Sequence, residues 1–327
     1  TGGSLLRRCH LRSSTSMSVP AVDPTQRINR IGRVASRIGL RMRTPRTDEH
    51  PALAALEATL ELLVHSNAFI SAAATSVALS TMLLVGLAPD PLALFIVFAA
   101  TLFVYSLNRI TDIDEDRENV PGRADFTERY GRVLLFAGVV LYLLAIVGAV
   151  ALGLPGAPFL ALPAVAAALY SLFHVKRILL VKNLIVGVSW GVIPLGVGVY
   201  YGTGARAGIL VLSAFFTIML TVAAAVFDIK DIEGDRAEGI RTAPIVFGVR
   251  ATKVGALAVT AAVAVGVVAL VAAGVLARRF LVLLGFLAYV AAYTPFATRD
   301  RGPLFYGFVV DGEHVLLAAL MIAMEAL

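Results

Sequence analysis

Carboxylates gather in two short stretches of this chain. Seven of its 22 acidic residues lie between Asp112 and Glu128, and five lie between Asp228 and Glu238. In the first stretch, Asn108, Asp112 and Asp116 recur every four residues, so a continuous helix would carry them on one face. In the second, Asp228, Asp231 and Asp235 follow at i, i+3 and i+7, again one helical face. Like charges at this spacing repel and weaken a helix, so something positive must answer them. Magnesium fits: it is a hard ion that takes oxygen ligands, keeps waters and joins one or two carboxylates to phosphate groups. Two such faces across a bundle could hold two or three ions with a diphosphate between them. Metal and nearby cations would then stabilise charge on a departing diphosphate. Neither stretch has the twelve-residue calcium loop with its terminal Glu.

The elements that must position these residues are membrane helices. The 327-residue chain is 58% hydrophobic and only 15% charged, whereas a soluble domain is about 45–50% apolar and about 25% charged. Apolar runs long enough to cross a bilayer are expected at 66–87, 91–110, 132–153, 156–174, 181–202, 206–227, 252–275, 279–296 and 305–326. The fold class is therefore all-α, with nine transmembrane helices. Abundant glycine and alanine in these runs would let helices approach closely. Pro163 and Pro194 fall inside spans, where neighbouring helices can satisfy the freed backbone groups.

Basic residues set the orientation. With the N-terminus cytosolic, 25 of the 28 Lys and Arg fall on the inner side, and only Arg206, Arg278 and Arg279 fall outside. Both acidic stretches then sit on the cytosolic face, at the ends of the second and sixth spans. Arg109, Lys176, Arg177, Lys182, Lys230 and Arg241 lie along the same rim. Residues 1–50, with ten Arg and no Lys, read as a basic, disordered cytosolic tail. Residues 51–327 read as one transmembrane unit, and 51–65 as an interfacial lead-in to it. The net charge of +6 does not indicate nucleic acid, because the basic residues flank apolar spans and form no patch interleaved with aromatics. The single cysteine, Cys9, excludes an internal disulfide.

The motif Asn108-xxx-Asp112-xxx-Asp116, with Asp231-xxx-Asp235, resembles the paired aspartate motifs of the UbiA family of intramembrane prenyltransferases. The run from Asp235 to Gly248 is also similar to that family, as are Tyr170-Ser171, Lys176-Arg177 and Lys182-Asn183. The resemblance covers roughly residues 60–327. It implies a helix bundle around a central cavity, with the two motifs facing each other under a cytosolic cap. It implies Mg²⁺ as cofactor: Asn108, Asp112 and Asp116 would hold one ion, and Asp231 and Asp235, assisted by Asp228, the other. Asp112, Asp116, Asp231 and Asp235 would be the catalytic carboxylates. Asn108, Arg109, Tyr170, Lys176, Lys182 and Asp228 would contact substrate, with Lys176 and Lys182 the main basic contacts to the diphosphate.

The implied reaction moves an isoprenyl group, geranylgeranyl or similar, from its diphosphate to a lipophilic acceptor at the cell membrane. A dry chamber would shield the allylic cation from water, and Tyr105, Tyr170, Phe173, Trp190, Tyr200 and Tyr201 offer aromatic faces to it. After the first motif the chain departs from the Arg-Pro-Ile-Pro-type run of many members. Asn119, Pro121 and Arg123 keep part of that pattern. The acceptor is open among a glycerol-phosphate lipid ether, a quinone precursor, a tetrapyrrole and a polyprene. No obligate protein partner is implied.

Other residues are less telling. Asp311, Glu313 and His314 open the last span and read either as cavity-lining or as interfacial. Asn67 lines the cavity or bonds a neighbouring helix. His65 and His174 lack the cluster a zinc site needs. Two other functions fit a polytopic chain with acidic loops: a cation-coupled secondary transporter, which would favour acids near the membrane midplane, and a non-catalytic prenyl-lipid binding protein.

Overall fold

A computed structural model describes residues 51–165, 179–204, 206–237 and 239–326. Helix α1 (Pro51–His65) meets α2 (Ala68–Leu84) at a 70° bend. Asn67 makes the corner with φ 61°, in the left-handed region that Asn tolerates better than most residues. Helix α3 (Pro91–Thr111) starts where Asp90 accepts a hydrogen bond from the Leu92 amide at 2.8 Å, with Pro91 in the first turn. It is followed by the short α4 (Ile113–Asn119) and by α5 (Pro121–Ala151).

A 3₁₀ turn, Ala157–Ala161, opens the fourth expected span, of which 166–174 lie outside the described residues. Then come α6 (Val181–Tyr200), α7 (Ala207–Phe227), and the short α8 (Ile232–Ala237) and α9 (Ala243–Val246). Helix α10 (Val249–Ala272) leads to the span Arg278–Phe296, built around α11 (Leu283–Tyr293). The last span begins as a π-helical turn, Phe305–Val310, and continues as α12 (Gly312–Glu325). No strand occurs among the described residues. Seven of their helices are long and apolar enough to cross a membrane, and the bent α1–α2 pair makes an eighth.

Two expected boundaries move. The second span, expected at 91–110, ends at Thr111, and the continuous helix that would carry Asn108, Asp112 and Asp116 on one face is broken at Asp112 (φ −104°, ψ 21°). The backbone bonds Asp112 N–H to Asn108 O (2.9 Å) and Asp116 N–H to Asp112 O (3.0 Å) bridge the break, so the three side chains stay close in sequence register without sharing one straight helix. The acidic stretch after it is helical as well, because α5 starts at Pro121 rather than near Arg132. In the second motif, Asp228 caps the end of α7, and a turn leads from it to Asp231, just before α8, and Asp235 within α8.

The interior joins α2, α7, α11 and α12 through Phe215, Phe216, Met219, Phe286 and Leu317. Large side chains such as Phe136, Val147 and Val265 face outward, as helices solvated by lipid require. Helices α6 and α7 approach at backbone distance. A Cβ on Gly187 would stand 2.3 Å from the Thr217 carbonyl oxygen, and one on Gly191 2.8 Å from that of Ser213. The Ser213 hydroxyl donates to the Gly191 carbonyl at 2.7 Å across the same seam. Small residues four apart allow this contact, and packing of this kind holds helices together where lipid removes the hydrophobic drive.

Candidate active site

The ends of α3, α6 and α7 and the short helices α4 and α8 converge. Gly234 of α8 lies against Asn119 of α4, where a Cβ would come within 2.3 Å of the Asn119 amide oxygen. The absence of a side chain at Gly234 lets the two aspartate motifs share one floor.

In the first motif, Asp116 is buried and held by Arg123. The guanidinium Nε donates to one carboxylate oxygen at 2.9 Å, and the terminal nitrogen donates to the other. Arg109 stands 3.7 Å from the same carboxylate. Pro121 begins α5 and turns the chain back, so that Arg123, seven residues on, reaches Asp116. Asp112 is half-buried at the helix break, within Coulombic reach of Arg109. The amide oxygen of Asn108 is buried without a hydrogen-bond partner among the described residues.

In the second motif, the Lys182 ammonium bridges two carboxylates, at 3.1 Å from Asp228 and 3.2 Å from Asp235. Asn183 donates to the other oxygen of Asp228 at 2.8 Å. Both aspartates are almost wholly buried, and the second oxygen of Asp235 has no hydrogen-bond partner among the described residues. Lys230 donates to both oxygens of Asp231, one at 2.7 Å.

The electrostatics couple the two motifs. Burial lowers the Lys230 pKa; Asp231 opposes this, while Arg123 and Arg109 of the first motif reinforce it. Burial raises the Asp228 carboxyl against the pull of Lys182 and Asn183. Burial raises Asp235 to about 6, with Lys182 opposing and Asp228 adding to the rise. The mutual repulsion anticipated among these acids is thus answered by the chain's own cations.

A hard divalent ion fits the donor chemistry, since Asn108 Oδ1 and Asp235 Oδ2 are buried oxygens awaiting a partner. Among the described residues, though, no three acidic, histidine or cysteine side chains stand close enough together to hold a metal. Tyr170 and Lys176, expected to contact substrate, lie outside the described residues, as do Ser171, Phe173, His174 and Arg177.

Three residues enter the site that spacing alone did not assign to it. Arg123 had shown only as a remnant of a motif, and Asn183 only as the neighbour of Lys182. Asp311, at the start of α12, lies within Coulombic reach of Arg109, Lys230 and Arg123. Its signal was a carboxylate inside an apolar span, and that signal alone left an interfacial position open.

The profile of the UbiA prenyltransferase family matches residues 68–304, most of the chain. This chain belongs to the UbiA family. It is 39% identical over 79 residues to a digeranylgeranylglyceryl phosphate synthase of Thermococcus sibiricus, covering 24% of this chain and 27% of that protein. It is 33% identical over 169 residues to the enzyme of the same name from Methanothermobacter thermautotrophicus, covering 50% of this chain and 57% of that one. The matches thus span about a quarter and about half of these relatives' lengths. Among solved structures, a ligand-free UbiA homologue from Aeropyrum pernix K1 superimposes with a TM-score of 0.55 at 20% identity, over 82% of this chain and 99% of that one. The UbiA fold is therefore shared, and the paired acidic helix ends of this chain fall within the segment the family profile matches.

Proposed function

We propose that this protein is a prenyltransferase that moves an isoprenyl group from its diphosphate to the hydroxyl of a glycerol-phosphate ether lipid. What supports the reading is a pair of aspartate motifs each answered by cations, Arg109 and Arg123 on the first and Lys182 and Lys230 on the second, in elements that touch where Gly234 meets Asn119. The acceptor class follows the two relatives, both digeranylgeranylglyceryl phosphate synthases.

These four cations can receive the phosphate oxygens of the donor once the carboxylates release them. Mg²⁺, held by Asn108, Asp112 and the aspartates of the second motif, would supply the charge that lets the carboxylates and the diphosphate share the site. Lys182 then moves its contact from Asp228 and Asp235 towards the diphosphate. Arg123 keeps Asp116 in place and orients the first motif. Helix ends buried among apolar spans exclude water from the allylic carbon as its bond to oxygen breaks. The site lies on the cytosolic side by the distribution of basic residues.

The test is incubation of the purified protein with radiolabelled geranylgeranyl diphosphate, Mg²⁺ and a geranylgeranylglyceryl phosphate acceptor. Labelled diether lipid is expected, and it should vanish with EDTA and in Asp112→Ala and Asp231→Ala. Transfer that persists in those variants, or that ignores chelation, would overturn the mechanism.

A further inference from the structure

Away from the aspartate motifs, a second cationic feature opens on the outside of the bundle. A groove of about 430 Å³ lies between the first turns of α10 and the end of the next span. Val249, Arg250, Lys253, Val254, Leu257 and Pro295 line it. Pro295 belongs to a 3₁₀ turn, Thr294–Phe296, that closes the span Arg278–Phe296. Between Asp228 and Gly248 the chain forms only the short helices α8 and α9, so α10 starts at the end of the bundle where the second motif lies. Both walls of the groove are thus span ends, where the hydrocarbon of a bilayer gives way to its headgroups.

The groove is ordered along its length. Arg250, Lys253, Val254 and Leu257 follow at i, i+3, i+4 and i+7, so they share one face of α10. The two cations come first, and the aliphatic side chains continue the face into the span. The Lys253 ammonium reaches across to donate to the Pro295 carbonyl at 2.9 Å. That bond uses one of its three N–H donors and fixes the charge in place. Arg299, just past the same turn, stands 3.7 Å from Glu233, whereas no carboxylate pairs with Arg250 or Lys253 among the described residues. Gly248 opens α10 without a side-chain cap, and the helix start adds partial positive charge. Val254 is 59% exposed, and so is Phe247 just before the helix; Phe296 beside Pro295 is 58% exposed.

We propose that this groove binds an anionic phospholipid, with its phosphate between Arg250 and Lys253 and one chain along Val254 and Leu257. Basic pockets at the ends of membrane helices recognise anionic headgroups in this way. A soluble anion would use the cations and leave the apolar face idle. A zwitterionic headgroup would bring its own cation towards Arg250. The lipid bridges α10 to the end of the neighbouring span, and no step of the proposed transfer depends on it.

The test needs no substrate. Purified wild type and Arg250→Gln/Lys253→Gln are titrated in detergent with dioleoylphosphatidylglycerol or dioleoylphosphatidylcholine, and bound lipid is counted by native mass spectrometry. Wild type should hold one more tightly bound phosphatidylglycerol than the double variant. Each cation near an anionic headgroup is worth roughly fivefold in affinity, so losing both should weaken that site about thirtyfold. Arg250→Gln alone keeps the Lys253–Pro295 bond and should weaken it about fivefold. Leu257→Asn, which leaves both cations, should also weaken it, and inorganic phosphate should not displace the lipid. Equal phosphatidylglycerol affinity in wild type and Arg250→Gln, equal affinity of wild type for phosphatidylcholine, or displacement by inorganic phosphate would overturn the assignment.

Discussion

The two aspartate motifs look alike in sequence but are answered by different cations. Arginines hold the first: Arg123 grips Asp116 with two nitrogens, and Arg109 backs it at 3.7 Å. Lysines hold the second: Lys182 is shared by Asp228 and Asp235, and Lys230 is bound by Asp231. Guanidinium is a rigid fork with a permanent charge, suited to fixing a carboxylate. Ammonium is a mobile point charge that shifts readily when buried. The first motif is thus built as an anchor, and the second as the half whose cations can be exchanged when ligands arrive.

Removing Lys182 should break the second half most severely. Lys182→Ala leaves two buried carboxylates without their shared partner, at a cost of roughly 3–5 kcal/mol, seen as a large fall in thermal stability. Adding Asp228→Asn should recover part of it. If Lys182→Ala is as stable as wild type, the lysine does not neutralise that pair.

Titration should separate the halves next. Asp235 keeps its proton up to about pH 6, against about 3.9 for an unfolded aspartate. The folded state therefore binds this proton more tightly, so its contribution to ligand-free stability is full below about pH 4 and is lost as pH rises to about 6. Diphosphate and Mg²⁺ affinity should move the opposite way, rising by up to about tenfold per pH unit below that point. Asp235→Asn should flatten both profiles, measured by thermal shift and by calorimetric binding.

Arg123→Lys keeps the charge but loses the fork. It should cost about 1.5–3 kcal/mol, the worth of a hydrogen bond to a charged group, and leave the second motif's titration unchanged. A variant that behaves like wild type would erase the proposed difference between anchor and exchangeable half. The smallest effect is expected from Gly234→Ala, about 1 kcal/mol. Its Cβ meets the movable end of Asn119, which can swing aside, so diphosphate affinity should fall more visibly than stability.

Much of the architecture was legible from the residues alone. Apolar runs place the spans because the bilayer sets their length. The aspartates were legible by type and spacing, but spacing implies a common face only along an unbroken helix, and Asp112 sits at a break. Partners in space were not legible. Lys182 and Asp235 are 53 residues apart, and nothing local to either announces the other. Glycine abundance suggested close helix contact without indicating that Gly187 and Gly191 make it.

Those two glycines matter beyond tight packing. Lys182 and Asn183 begin α6, and Asp228 ends α7, so the three are delivered by the two helices that the glycine seam joins. With only small side chains such as Thr217 and Thr221 in the seam, there is little to repack, and the backbones that carry Lys182 and Asp228 are set like a gauge block. Residues on the outward faces of both helices are then free to drift, while the backbones under the charged head of the site keep their spacing.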